Sequence, residues 1–177
     1  MTGPVPRIVT ARLILEPLAE AAVDARYVGW LNDPELMRFS NQRFRTHTEA
    51  TQRAYVASFA GGPSLLLAMR LAGDGRMVGT MTAYVAPAHG TADMGLLIGE
   101  RTLWGQGYGL EAWSALMAHL LGPLGLRKVT AGAVRANAAM CAIMERSGMQ
   151  LEAVRRRHEI IDGVENDVLL FARFRDR

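Results

Sequence analysis

The chain is poor in cysteine, in lysine and in long apolar runs, and each shortage excludes something. Cys141 is the only cysteine among 177 residues, so no internal disulfide can form, which fits a reducing compartment such as the cytoplasm. No stretch approaches the ~20 apolar residues a membrane-spanning helix needs. Met1–Thr10 carries Pro4 and Pro6 and no apolar run of the signal-peptide kind. A cytoplasmic protein without membrane attachment is expected. Of the 20 basic residues only Lys128 is a lysine. Arginine grips phosphate in a bidentate way, although a general bias toward Arg and Ala would produce the same composition. The arginines are scattered along the chain, which argues against a nucleic-acid stripe. No His/Cys/Asp/Glu grouping has metal-ligand spacing, so no metal is expected.

Half the residues are hydrophobic and 21% are charged, the balance of an ordinary globular chain. The length suits a single domain over residues 1–177 with a core large enough to keep water out of a cleft.

Arg12–Glu16 is a short apolar run closed by Pro17 and reads as a strand. Glu20–Phe39 has helical spacing, interrupted at Asn32-Asp33-Pro34 by a cap and a proline suited to the first turn of a further helix. Thr48–Phe59 is a second helical stretch with Thr48 as N-cap, stopped by Gly61-Gly62-Pro63. Ser64–Leu71 and Arg76–Val85 read as strands joined by a turn at Gly73-Asp74-Gly75, and Ala92–Ile98 as another. The glycine-rich Gly105–Gly109 opens into a helix whose Trp113, Leu116, Met117, Leu120 and Leu121 define a buried face. Lys128–Val134 reads as a strand and Asn137–Arg146 as a helix stopped by Ser147-Gly148. Leu151–Ile161 and Val164–Phe174 read as strands joined by the hairpin turn Asp162-Gly163. This order predicts a mixed, mostly antiparallel α/β fold with a strand–helix–strand crossover in its middle.

The segment Gly99–Ala112 carries the chemistry. Alternate glycines let backbone N–H groups approach a ligand, and the following helix start adds partial positive charge, which together suit a pyrophosphate. Glycine loops also serve as plain turns. The stretch is not a Walker loop, because no Lys-Ser or Lys-Thr follows, and it does not open a Rossmann unit.

Here the sequence resembles the GNAT superfamily of N-acetyltransferases, closest to its ribosomal-protein acetyltransferase-like (RimJ/RimL) branch. Ala92–Gly99 resembles that family's fourth strand, Trp104–Ala112 its pyrophosphate loop and third helix, and Leu126–Val129 the entry to its fifth strand. Asn137–Met149 resembles its asparagine-led helix, Asp162-Gly163 its late hairpin, and Arg12–Leu15 its opening strand. The resemblance implies an acetyl-CoA-dependent transfer to a primary amine, with the fourth and fifth strands splayed to admit the donor. It implies that backbone groups of Leu97 and Ile98 pair with the pantetheine arm, and that an N–H near Leu97 holds the acetyl carbonyl. Gln106, Gly107, Tyr108 and Gly109 would hold the pyrophosphate, and Asn137 would bond the pantetheine or the backbone beside it.

The chain departs from the family at three places. Trp104 stands where Arg or Gln is frequent, and Met149 replaces an aromatic residue. Met140 and Met144 occupy the two positions where a Ser or Tyr often serves as general acid, and neither has a proton to give.

An attacking amine must lose its proton, and Asp93 and Glu100 are the candidate bases. The alternatives are a solvated strand-edge carboxylate and a solvated cap. Arg43 and His47, in Arg43–Thr48, are the candidate acceptor contacts, against a plain surface loop. Alternation along a strand would place Arg155 and Arg157 on one face and Arg156 on the other. Cys141 reads as buried rather than nucleophilic. The acceptor is expected to be a small-molecule amine, first an amino sugar or nucleotide-linked amino sugar, because Trp30–Glu35 and Arg43–Thr48 resemble a subset of the branch associated with surface-polysaccharide sugars. A protein N-terminus or another small amine is the alternative within the enzyme class. Outside it stands a non-catalytic acyl-CoA sensor. Either a monomer or a homodimer fits.

Overall fold

The computed structural model describes residues 7–176. Met1–Pro6 of the N-terminal stretch considered above lies outside them. The strands are β1 (Ile8–Val9), β2 (Leu13–Pro17), β3 (Leu65–Leu71), β4 (Met77–Ala86), β5 (Thr91–Ile98), β6 (Lys128–Val134), β7 (Gln150–Ile161) and β8 (Val164–Phe174). The helices are α1 (Ala25–Asn32), α2 (Glu49–Ala57), α3 (Tyr108–Leu121) and α4 (Ala138–Arg146).

The strands form one sheet in the order β1-β2-β3-β4-β5-β6-β8-β7. Only the β5–β6 contact is parallel, so the mixed, mostly antiparallel fold expected from the sequence is the one observed. β5 and β6 pair solely over Thr91–Asp93 and Lys128–Thr130. Beyond that point β4 follows β5 to Ile98 and β8 follows β6 to Val134. The sheet therefore splits past Asp93 into two halves that each keep their own ladder, and this is the anticipated splay.

β3 is buried on both faces, which explains its unbroken apolar run. Leu65, Leu67 and Met69 join the cluster under α3, where Trp113, Leu116 and Leu120 are fully buried. Burying Leu116 or Leu120 stabilises the fold by about 1.5–3 kcal/mol each. Leu66 and Ala68 face the other way and pack with Tyr27, Trp30 and Leu31 of α1 and Val56 of α2. A third, smaller cluster joins Val134, Ile161 and Val168 to Phe39 and Leu170.

Local signals set the helix boundaries. The Asp24 carboxylate accepts the Tyr27 N–H at the start of α1. Thr48 caps α2 as expected, with Thr51 reciprocating. At the β7–β8 turn both Asp162 and Gly163 have positive φ, the requirement of the tight hairpin that Asp-Gly favours.

Two expectations need correction, and one strand was not anticipated. Helical spacing over Glu20–Phe39 yields only a 3-10 turn at Glu20–Ala22 and α1, with turns from Pro34 onward. The Asp33 carboxylate accepts the N–H groups of Glu35 and Leu36, giving the backbone local partners in place of a continuing helix. β1 is too short to leave an alternating pattern in the sequence. In β7 the register shifts between Arg155 and Glu159, and Arg157 takes φ 50°. The expected alternation of Arg155, Arg156 and Arg157 is thus broken by a bulge.

Candidate active site

The split sheet defines the site. The Gly99 N–H donates to the Val78 carbonyl, and antiparallel pairs alternate from there. Leu97 therefore turns its backbone groups toward Thr80 of β4, its register partner. Leu96 and Ile98 turn theirs toward the gap that β6 has left. The resemblance implied Leu97 and Ile98 on that open edge; the backbone alternation places Leu96 and Ile98 there. The Ile98 carbonyl accepts the indole N–H of Trp104 at 3.0 Å, and Trp104 itself is 45% exposed.

At the end of β5 a 3-10 turn at Arg101–Leu103 leads into the glycine loop. The four glycines of this stretch have different physical reasons. Gly105 and Gly107 have φ 73° and 84°, a region that L side chains rarely adopt. Gly99 and Gly109 are close-packing positions. A side-chain carbon at Gly99 would lie 2.0 Å from the Trp30 ring, and one at Gly109 would lie 2.9 Å from Ile143 Cδ1 and 3.1 Å from Ile98 Cδ1. Gly109 thus lets α3 and α4 close over β5.

Gly107 is the N-cap of α3 and has no side chain to cap with. The first helical bond runs from the Glu111 N–H to the Gly107 carbonyl, so the N–H groups of Tyr108, Gly109 and Leu110 enter the helix without backbone partners of their own. Gln106 folds its amide back onto the Thr102 carbonyl at 2.5 Å. Across the gap, Asn137 caps α4 by accepting the Met140 N–H at 3.2 Å. Its oxygen is committed, and what it can offer a ligand is the Nδ2 donor.

The opposite face of the sheet holds a second surface. Register pairs Thr82 with Gly95, Tyr84 with Asp93, and Asp93 with Thr130, so these side chains share one face. All five residues are exposed or half-buried. The strip lies between the cluster under α1 and α2 and the cluster around Val134 and Val168. Met37 belongs to the first cluster and Phe39 to the second, so residues 37–39 cross above the strip. The crossing segment is tied to the far side by Arg38 to Asp162, Asn41 to Glu159, and Arg43 to the Ile160 carbonyl. A cleft of about 470 Å³ runs beside it, lined by Asp33, Arg38, Arg43, Phe44, Arg45 and Asp162 among others.

Asp93 sits where the strands part. Its Oδ1 accepts the Thr130 hydroxyl at 2.7 Å. The residue is exposed on the strip, yet it is enclosed enough that burial raises its carboxyl above the usual range, against the Thr130 bond, which acts to lower it. Glu100 is placed differently. Its two carboxylate oxygens lie 3.6 Å from Arg26 and from Arg76, beyond the end of β5 and among cations.

His47 is buried, 7% exposed. Its Nδ1 meets the Gln52 amide at 2.9 Å and its Nε2 meets the Gln42 carbonyl at 3.2 Å. The Gln52 amide can donate to Nδ1, and the Gln42 carbonyl can accept from Nε2. Both nitrogens are occupied, so His47 holds the loop from within and does not face an acceptor, contrary to expectation. Arg43 bonds the Ser40 carbonyl and lies over the Phe44 ring at 4.2 Å, and it lines the cleft. Met144 is fully buried and Cys141 is 9% exposed, with burial raising the thiol. Met140 and Met144 have no proton to give, and the Cys141 thiol is turned to the Val134 carbonyl at 3.8 Å.

Thr82, Tyr84 and Thr130 were not singled out in the sequence. Their signal was available: in β4 the hydroxyl residues Thr80, Thr82 and Tyr84 alternate with Met81, Ala83 and Val85, which marks a polar face. The Tyr84 hydroxyl lies 2.6 Å from that of Tyr55, and the pair forms the rim on the α2 side.

Comparison with known proteins agrees with this geometry. Residues 12–150 match the family described as the acetyltransferase (GNAT) domain. The chain belongs to the GNAT acetyltransferase family and is an N-acetyltransferase. No protein of curated function matches its sequence. Among solved structures, a GNAT-family acetyltransferase from Bacillus anthracis is 18% identical, with a TM-score of 0.82 over 97% of this chain and 100% of that one. The ribosomal L7/L12 α-N-protein acetyltransferase RimL in complex with coenzyme A is 21% identical, with a TM-score of 0.81 over 96% and 97%. A spermidine N-acetyltransferase SpeG chimera from Vibrio cholerae and the human enzyme is 14% identical, with a TM-score of 0.81 over 93% and 96%. At these identities the structures establish the shared fold. Among the described residues no helix is long and apolar enough to cross a membrane.

Proposed function

We propose that residues 1–177 act as one catalytic domain that transfers acetyl from acetyl-CoA directly to the amine of an amino sugar, best a nucleotide-linked one. The single observation that carries the reading is the placement of Asp93 at the parting of β5 and β6. From there it reaches the gap and the hydroxyl-rich strip at once.

Acetyl-CoA supplies the acetyl group as a thioester of a good leaving thiol. The residues present suit it: an open strand edge at Leu96 and Ile98 for an extended amide-bearing arm, and unpartnered N–H groups at the start of α3 for phosphates. Gln106, Gly107, Tyr108 and Gly109 form that start, and Asn137 at the start of α4 keeps its Nδ2 donor for the arm. On the acceptor side, Asp93 takes the proton that an alkylammonium must lose before it can attack. A carboxylate raised by burial is better matched to this task than one at the ordinary value. Glu100, held between Arg26 and Arg76, serves in an ion-pair cluster instead. No residue on α4 is needed to protonate the leaving thiolate.

Thr82, Tyr84 and Thr130 suit an acceptor with many hydroxyls. Arg45 on the cleft wall suits its phosphates, whereas Arg38 beside it is already paired with Asp162.

A thiol-release screen across nucleotide-linked amino sugars, peptide N-termini and polyamines tests the reading. Faster turnover of the sugars is expected. Efficient acetylation of peptide N-termini beside inert sugars would replace the amino-sugar acceptor with a protein one.

A further inference from the structure

We infer that Arg12 is a positioning residue of the acetyl-CoA site, a part the glycine-loop motif does not contain. The inference rests on the reading of that loop as the donor's phosphate site. Glu111 lies in the first turn of α3. Its Oε1 accepts the Thr10 hydroxyl at 2.6 Å and the Arg12 N–H at 2.8 Å, and its Oε2 accepts Arg12 Nε at 2.7 Å. The turn between β1 and β2 therefore grips a carboxylate that is 99 residues away in sequence.

The rest of the guanidinium reaches over the loop. Nη1 donates to the Gln106 carbonyl at 3.1 Å, and the guanidinium carbon stands 4.0 Å from the centre of the Tyr108 ring. Nη2 lies 3.5 Å from where a side chain on Gly107 would begin. One side chain thus touches three consecutive loop residues. The Gln106–Gly107 peptide is planar, so fixing the Gln106 carbonyl also fixes the Gly107 N–H on the opposite side. Arg12 in this way sets the direction of a donor in the loop without itself meeting the reacting atoms.

Arg12 has a second effect, through charge. A carboxylate in the first turn of α3 would repel a pyrophosphate bound at the same helix start. Paired with Arg12 and Thr10, Glu111 is neutralised. Burial acts to raise this carboxyl, and the Thr10 and Arg12 bonds outweigh it and hold it below the usual range. Removing Arg12 frees the loop and also leaves an uncompensated negative charge beside the phosphates.

The test uses the full-length protein, CoA titration by calorimetry, and steady-state kinetics with the best amine from the screen above. Arg12→Ala should weaken CoA binding, and raise the acetyl-CoA KM, by about ten- to a hundredfold, the size of a lost charge-assisted bond. The kcat at saturating donor and the acceptor KM should stay within about twofold. Arg12→Lys should fall between, because a point charge can neutralise Glu111 but cannot also hold the Gln106 carbonyl. If Arg12→Ala fails to fold, Arg12→Lys carries the test in its place and should raise the donor KM severalfold with kcat preserved. Unchanged CoA affinity in a folded Arg12→Ala protein would overturn the inference. So would equal losses in kcat and acceptor KM, which would mark a general structural role. Wild-type protein that binds no CoA would instead sink the loop reading itself, before Arg12 enters.

Discussion

The two faces of the split sheet are built by different means. The face under α3 and α4 offers backbone: a strand edge left open at Leu96 and Ile98, two left-handed glycines, and a helix start without a capping side chain. The opposite face offers side chains drawn from three strands, Thr82 and Tyr84 from β4, Asp93 from β5 and Thr130 from β6. A site made of backbone demands glycines at fixed spacing and writes a contiguous motif. A site made of side chains demands only one suitable residue per strand, so its members lie scattered along the chain. The first kind can be read without a structure. The second becomes visible only when register lines its members up.

The comparison breaks most severely at Asp93. Asp93→Asn should lower turnover by about 10²–10⁴ while leaving CoA affinity intact, and Glu100→Gln should keep turnover near that of wild type. Calorimetry and steady-state kinetics on the two variants separate the faces. A turnover loss in Glu100→Gln with Asp93→Asn unaffected would move the base off the strip.

His47 sharpens the distinction between lining a site and supporting it. His47→Ala leaves the Gln52 amide and the Gln42 carbonyl without their partner inside the loop, and should cost about 1–3 kcal/mol of stability. Thermal unfolding should register this, with any rise in acceptor KM following from a loosened loop. A raised acceptor KM at unchanged melting temperature would put the imidazole back in the acceptor site.

The smallest effect tests the electrostatics of the strip. Burial raises the Asp93 carboxyl and the Thr130 hydroxyl bond lowers it. Since the base works only when ionised, the rate should rise with pH through this raised value. Thr130→Val removes the lowering contribution, so the carboxyl rises further and the acid limb of kcat/KM should move to higher pH. A limb that stays in place, or moves down, would show that another group takes the proton.

Much of this molecule was legible in advance because its signals are local. The hairpin at Asp162-Gly163, the Thr48 cap, the buried stripe of α3 and the glycine loop each follow from a few neighbouring residues and their allowed backbone angles. The splay followed from resemblance rather than from pattern. The reading failed where a local rule met a competing partner: Asp33 drew the backbone of Glu35 and Leu36 out of a helix, and a bulge at Arg157 undid strand alternation.

What the sequence determined by itself, then, was the order of strands and helices and the place of the glycine loop that opens α3, because steric limits and apolar spacing act over a few residues. Tertiary structure alone decided that Leu96 rather than Leu97 faces the gap, since that depends on which partner strand takes the alternate hydrogen bonds. It alone decided that Gly109 packs between helices, that both nitrogens of His47 are consumed, and that Arg12 and Glu111 meet. The His47 contacts span only five residues to either side, but the others join atoms from distant parts of the chain, which no local pattern records.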